Sequence, residues 1–148
     1  MPIKSISPKE ASDLLDHQPG WVYLDVRSVP EFFRGHPRGA VNVPLAHADP
    51  ATGQMVPNPD FLRVVRANFS PETLLLIGCF SGGRSMKAAE VLDQAGYRSV
   101  LNVRGGFGGA RDPMGRVVEP GWADLGLPVE GESREGESYE ALHLRADS

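Results

Sequence analysis

Reactive sulfur is scarce in this chain: one cysteine, Cys79, in 148 residues. A lone thiol cannot close an intramolecular disulfide or supply a multi-cysteine metal site. It also leaves any thiol chemistry without an internal resolving cysteine. Long hydrophobic runs are missing too. None approaches the roughly 20 residues of a spanning helix, and Met1-Pro2-Ile3-Lys4-Ser5 lacks the apolar region of a signal peptide. Basic charge is not in excess. Lys and Arg number 15 against 19 Asp and Glu, a net charge of -4, which argues against non-specific nucleic-acid binding. A cytoplasmic protein is expected, with no nucleic-acid and no membrane partner.

What is present is ordinary globular composition, 41% hydrophobic and 23% charged, in a length that suffices for one core. The most informative stretch spans residues 74–95. Leu74-Leu75-Leu76-Ile77 is an apolar run the length of one buried strand. The small-residue loop Cys79-Phe80-Ser81-Gly82-Gly83-Arg84 follows, then a helical pattern that opens at Ser85 and closes at Gly96. Cys79 therefore falls at the carboxyl end of a strand, where open α/β sheets bind ligands.

The rest of the chain alternates strands with helices. A short strand is expected from Ile3 to Ile6. Ser7-Pro8-Lys9-Glu10 is a capping box with proline at the first helical position, opening a helix with Ala11, Leu14 and Leu15 on its apolar face. Trp21-Val22-Tyr23-Leu24-Asp25-Val26 reads as a strand. A second capping box, Ser28-Val29-Pro30-Glu31, opens a short helix. Residues 35–39 read as loop, 40–44 as a brief strand and 46–57 as loop. Asn58-Pro59-Asp60 starts a helix with Phe61, Val64, Val65 and Phe69 on one face. Ser99-Val100-Leu101-Asn102-Val103 is the next strand, and residues 105–121 read as a long flexible loop. This order predicts one α/β domain over 1–130 with a mainly parallel sheet. Residues 131–148, with Glu132, Glu135, Glu137 and Glu140, read as an acidic disordered tail, with a weak helix near Tyr139 to Leu144.

The loop after Cys79 carries the chemistry. Gly82 and Gly83 allow backbone angles that side chains block, so successive N–H groups can form an anion-binding nest. The start of the next helix adds its positive dipole end, and Arg84 adds a full charge. All three favour thiolate, the nucleophilic form. Free cysteines are more often buried structural residues; the Gly-Gly-Arg context in a strand–loop–helix frame favours the reactive reading here.

Four segments in order resemble the single-domain rhodaneses, a sulfurtransferase family. Cys79-Phe80-Ser81-Gly82-Gly83-Arg84-Ser85 is similar to the family's active-site loop. Asp25-Val26-Arg27 with Glu31-Phe32 resembles its Asp-Val-Arg…Glu-Phe segment. Residues 35–44, from Gly35-His36-Pro37 to Asn42-Val43-Pro44, resemble its Gly-His-Ile-Pro-Gly-Ala-x-Asn-Ile-Pro segment. Gly105-Gly106, Trp122 and Gly126-Leu127-Pro128-Val129 resemble its closing pattern. The resemblance covers roughly residues 3–130. It implies a five-stranded, mainly parallel sheet flanked by helices on both faces. It also implies Cys79 as the persulfide-carrying nucleophile, with Phe80 to Ser85 as the substrate-binding loop. No metal and no organic cofactor is implied. The partners would be a small sulfur donor such as thiosulfate and a thiol or cyanide acceptor, or a sulfur-accepting protein.

The sequence departs from that pattern at Arg38 and in a longer stretch between Gly106 and Trp122. The insert, residues 107–121, is expected to start near the catalytic face, with Phe107 and Arg111 as candidate rim residues; a solvated loop is the competing reading. Asp25, Arg27 and Glu31 are candidate catalytic charges; the favoured expectation is that Arg27 makes a structural ion pair that fixes the first loop, with Asp25 and Arg27 in a supporting role. A cysteine phosphatase is the nearest rival enzyme. Its loops place five residues between cysteine and arginine, whereas four intervene here, a smaller cradle that suits a single sulfur. His36, His47 and His143 are scattered and supply no protease partner. A persulfide carrier or regulatory module is the non-enzymatic alternative. The sequence leaves donor, acceptor and oligomeric state open.

Overall fold

The computed structural model describes residues 3–131 and 136–148. The chain opens with β1 (Lys4–Ile6), α1 (Pro8–His17), β2 (Trp21–Asp25), α2 (Val29–Arg34), β3 (His36–Pro37) and β4 (Val41–Asn42). It continues through β5 (Ala46–Ala48), β6 (Met55–Pro57), α3 (Phe61–Asn68), β7 (Leu74–Gly78), α4 (Gly83–Gln94) and β8 (Ser99–Val103). It closes with β9 (Ala110–Arg111), β10 (Val117–Glu119), β11 (Val129–Glu130) and α5 (Tyr139–Ala146). Five strands form one sheet in the order β1-β8-β7-β2-β4, with every neighbouring pair parallel. The expected five-stranded α/β architecture is present, and β7 occupies its centre.

Strand periodicity explains the layers, because successive side chains leave a strand on opposite faces. Leu75 and Ile77 join a core with Phe61, Val64 and Val65 of α3, Ala88, Ala89 and Leu92 of α4, and Leu142 of α5. Leu76 and Tyr23 join the opposite core with Ala11 of α1, Phe32 of α2 and Trp122. Helices thus cover both faces, which is why β7 reads as a continuous apolar run rather than an alternating one. Helix starts follow their capping residues. Ser7 Oγ accepts from the Glu10 amide at 3.1 Å, while Glu10 Oε1 accepts from the Ser7 amide at 3.1 Å.

Four expectations fail locally. Residues 46–57 are a hairpin, β5 pairing antiparallel with β6. Its strands carry no apolar alternation, and an Asx turn at Asp49, whose Oδ1 accepts from the Ala51 amide at 2.9 Å, closes it. Residues 105–121 are not a floppy loop. They contain the β9–β10 hairpin, with Asp112 Oδ1 accepting from the amides of Met114 and Arg116 at 2.9 Å each. Within 35–39, β3 pairs antiparallel with β11. Helix α4 begins at Gly83, two residues earlier than the helical pattern suggests.

The tail is the largest correction. Residues 132–135 lie outside the described residues, but 136–148 are ordered on the domain. Helix α5 runs to Ala146, is capped by Ser138, and places Leu142 at 0% exposure against α3. Burying one leucine contributes about 1.5–3 kcal/mol. Asn68 Nδ2 donates to the Leu142 carbonyl at 2.9 Å, Asn58 Nδ2 to the Tyr139 hydroxyl at 3.1 Å, and Arg63 pairs with Asp147 at 2.9 Å. Acidic composition hid a single-leucine anchor whose partners lie some eighty residues back in the chain.

Candidate active site

Cys79 follows β7 directly, at the carboxyl edge of the sheet, and is only 2% exposed. Gly82 turns the chain with φ +113°, a left-handed conformation that glycine adopts without steric cost. That turn aims the Gly82 amide at the sulfur, with N to Sγ at 3.0 Å. The sulfur also lies 3.4 Å from Ser85 Oγ in the first turn of α4. The Ser85 hydroxyl in turn donates to Asn102 Oδ1 on β8 at 2.5 Å, and Asn102 Nδ2 donates to Ser5 Oγ on β1 at 3.1 Å. Ser85 and Asn102 are 0% and 3% exposed. A buried polar chain therefore runs beneath the sulfur across α4, β8 and β1. Buried polar groups of this kind are stabilising only when bonded, and here each link is made.

The loop is clamped from its outer side by the chain after β8. The Phe107 amide donates to the Cys79 carbonyl and the Gly108 amide to the Phe80 carbonyl, each at 2.8 Å. At Gly106 the backbones approach so closely that a Cβ would stand 2.2 Å from the Cys79 carbonyl oxygen. Only glycine fits there, which gives the Gly105-Gly106 pair a direct steric role.

Two arginines flank the loop. Arg27 is buried and bidentate on Asp25, with Nη2 to Oδ2 at 2.7 Å and Nε to Oδ1 at 3.0 Å. It also donates to the Gly35 carbonyl at 2.7 Å, and its guanidinium sits 4.5 Å from the centre of the Phe107 ring. Arg84 forks onto Glu31, Nη1 to Oε1 at 2.8 Å and Nη2 to Oε2 at 3.1 Å. Burial opposes ionisation of Glu31, but the Arg84 bonds and then the Ser28 hydroxyl and amide overcome it and bring its pKa down to about 2. The Glu31 bonds likewise raise the Arg84 pKa. Tyr23 is kept a neutral phenol: burial, then the Asp25 charge, push its pKa well up.

The Rhodanese-like domain family matches residues 7–111 of this sequence. The chain belongs to that family. Among its relatives, Thiosulfate sulfurtransferase 16, chloroplastic, from Arabidopsis thaliana is 41% identical over 125 residues, covering 84% of this chain and 91% of that protein. Thiosulfate sulfurtransferase 18 from the same plant is 37% identical over 135 residues, covering 90% and 88%. The crystal structure of Rv0390 from M. tuberculosis superposes with a TM-score of 0.74 at 33% identity, over 89% of this chain and 100% of that one.

In this rhodanese-like domain, the residues expected at the site mostly assemble. Cys79, Gly82 and Ser85 share hydrogen bonds, Gly83 opens α4, and Asp25 and Arg27 form the expected ion pair. Phe80 is 48% exposed, so it belongs to the site's surface and not to the core; Ser81 is also exposed. Phe107 is joined to the site through its amide and through Arg27. Arg111 is engaged elsewhere, donating to Asp124 at 3.0 Å. Arg84 is close to the sulfur in sequence, but its charge is shared with Glu31, so the loop is less cationic than its composition suggests. Asn102 is the functional-site residue that sequence reasoning left out; it sits mid-strand with no local signal. Glu31 stood out as a helix cap and in the Glu-Phe segment, but its pairing with Arg84 did not. No carboxylate or histidine bonds the sulfur among the described residues. The group with metal-ligand spacing among them contains no residue of this loop: His36, Glu130 and Glu137 hold ligand atoms within 4.8 Å of one another, with His36 Nδ1 donating to the Phe32 carbonyl at 2.7 Å.

Proposed function

We propose that this chain is a sulfurtransferase that carries sulfane sulfur on Cys79, with thiosulfate or an organic persulfide as donor. The single observation carrying this reading is the sulfur itself, held 3.0 Å from the Gly82 amide at the start of α4. An amide and a helix N-terminus stabilise an anion, whether thiolate or persulfide. In the first step the Cys79 thiolate attacks the outer sulfur of the donor. The donor's S–S bond breaks, and with thiosulfate the electron pair leaves on sulfite. In the second step an acceptor nucleophile attacks the outer sulfur of the Cys79 persulfide, and Cys79 leaves as thiolate. Cyanide yields thiocyanate; a thiolate yields a new persulfide. No metal or organic cofactor enters either step.

Burial of Cys79 shapes this chemistry. Cys79 is 2% exposed, so the donor that loads it must be slim at the reacting end. Once loaded, the outer sulfur stands about 2.05 Å beyond Sγ, nearer solvent and within reach of a larger acceptor. The four residues between Cys79 and Arg84 support sulfur over phosphate as cargo, since a phosphoryl group needs a wider cradle. Names of relatives also support thiosulfate as a donor.

The test is mass spectrometry of the intact protein after incubation with thiosulfate. The expected result is a gain of one sulfur atom, lost on addition of cyanide and absent in Cys79→Ala. Failure of every sulfur donor to load the protein, together with hydrolysis of a phosphate ester, would replace this reading with a phosphatase. A cytoplasmic location is part of the proposal, and cell fractionation tests it.

A further inference from the structure

One cavity adjoins the active-site loop and plays no part in the steps above. It has a volume of about 590 Å³ and runs between α4, the start of α3 and the β5–β6 hairpin. Its walls are apolar: Leu45, Met55, Phe61, Leu62 and Val91. Its loop end is formed by Gly83 and Arg84, directly after the Gly82 whose amide holds the sulfur. Two charged residues line it, Arg84 and Lys87, and neither is acidic. Arg84 is already neutralised by Glu31. Lys87 makes no ion pair among the described residues. It lies one helical turn beyond Gly83, about 6 Å along the axis at 1.5 Å rise per residue. An apolar trough with a reactive sulfur near one end and one unpaired cation a turn away selects for a particular ligand shape.

Building on the sulfur-carrier reading above, the geometry points to an amphiphilic thiol as the acceptor. It would carry a single anionic group separated from its sulfur by a short hydrocarbon spacer. The hydrocarbon lies against the apolar wall between Gly83 and Lys87, the anion meets Lys87, and the thiolate is delivered beside Gly83. The thiolate attacks the outer sulfur of the Cys79 persulfide. A new S–S bond forms on the acceptor, the Cys79–sulfur bond breaks, and its electron pair returns to Cys79 as thiolate. The exchange is reversible at the level of bonds, so the product, an amphiphilic persulfide, fits the same trough as a donor. Small donors need only the loop.

The test uses the full chain and three thiols: mercaptohexanoate, which has spacer and anion; mercaptohexanol, which has the spacer alone; and mercaptoacetate, which has the anion without the spacer. Cys79 is first loaded from thiosulfate and the persulfide is verified by mass. Discharge is then followed in single turnover and compared per thiolate. Mercaptohexanoate is expected to react about tenfold faster than mercaptoacetate, the equivalent of burying two methylene groups. It should also outpace mercaptohexanol. Lys87→Met should bring mercaptohexanoate down to the rate of mercaptohexanol, and Val91→Trp, which fills the trough, should erase the advantage over mercaptoacetate. A loaded persulfide that discharges equally to all three thiols overturns the trough while leaving the carrier reading intact. If no persulfide loads at all, the carrier reading fails, and the trough is judged by binding. Hexanoate titrated into the wild-type protein should shift the methyl resonances of Leu45, Leu62 and Val91, more weakly in Lys87→Met. Unmoved methyls at millimolar hexanoate also overturn it.

Discussion

Arg27 and Arg84 each project from a motif loop onto a nearby carboxylate, and the two pairs live in different solvents. The Arg27–Asp25 pair is 3% and 1% exposed, closes at 2.7 Å, and is locked further by the Gly35 carbonyl and the Phe107 ring. The Arg84–Glu31 pair closes at 2.8 Å but is 31% and 25% exposed. Distance alone would rank them as equals. Burial separates them, because removing one partner of a buried pair strands an uncompensated charge, whereas water covers the loss at the surface. The buried pair is thus a structural joint between β2, the Gly35 turn and the chain after β8. The exposed pair sets a carboxylate against the Arg84 charge beside the sulfur loop. The same residue type in two loops does architecture in one and electrostatics in the other.

The sharpest break of that contrast is Arg27→Ala. It leaves the Asp25 carboxylate buried without its fork, and a loss of about 3–5 kcal/mol in unfolding free energy is expected from urea titration. A loss below 1 kcal/mol would mean that the two pairs are energetically alike and burial decides nothing here. Asn102→Ala probes a buried link without net charge. Asn102 Oδ1 takes the Ser85 hydroxyl proton at 2.5 Å, which leaves Ser85 able only to accept from Cys79. Without that acceptor the hydroxyl proton is shared between the Gly82 carbonyl, 3.1 Å away, and the sulfur, and the share that reaches the sulfur favours the thiolate. Stability should fall by about 1–2 kcal/mol, and iodoacetamide should label Cys79 faster at neutral pH. A slower or unchanged labelling rate, with the same stability loss, would reduce Asn102 to a packing residue.

How much of this was legible beforehand depends on the range over which the signal acts. The sheet, its parallel order and the position of Cys79 rest on local patterns: the apolar run of β7, the capping boxes before α1 and α2, and the glycines after Cys79. The Asp25–Arg27 pair was legible because its members lie two residues apart on one turn. The Arg84–Glu31 pair joins α4 to α2 over 53 positions, and each partner already had a plausible local role as loop cation or helix cap. Asn102 is 17 positions from Ser85 and reads simply as a polar residue in a strand. Helix α5 was expected near Tyr139 to Leu144, but its docking was missed for a different reason. Its charge dominates composition, while its docking rests on Leu142 and on bonds to α3. The β5–β6 hairpin carries exposed apolar and polar residues without period, so only its backbone ladder identifies it, and that hairpin walls the cavity beside the loop.

The smallest effect, and the most direct test of the exposed pair, comes from Glu31→Gln. Glu31 has an ordinary value of 4.5 that falls to about 2 in the folded chain. A depressed carboxyl stabilises the fold while it is ionised. The contribution is full above about pH 4.5 and disappears as pH falls through about 2. Wild type should therefore exceed Glu31→Gln in stability by at most about 1 kcal/mol at neutral pH, given the partial exposure of both partners. That gap should close between those two pH values. A gap that persists unchanged at the acid end would mean that the carboxylate is not its source. The same substitution leaves Arg84 without its counter-charge beside the sulfur. Thiosulfate should then load Cys79 about threefold faster, the equivalent of half a kcal/mol or so of added attraction for an anion, while an uncharged persulfide donor gains nothing. Equal acceleration of both donors would show that Glu31 restrains the loop mechanically, and slower loading of thiosulfate would show that Arg84 serves the sulfur only when Glu31 holds it in place.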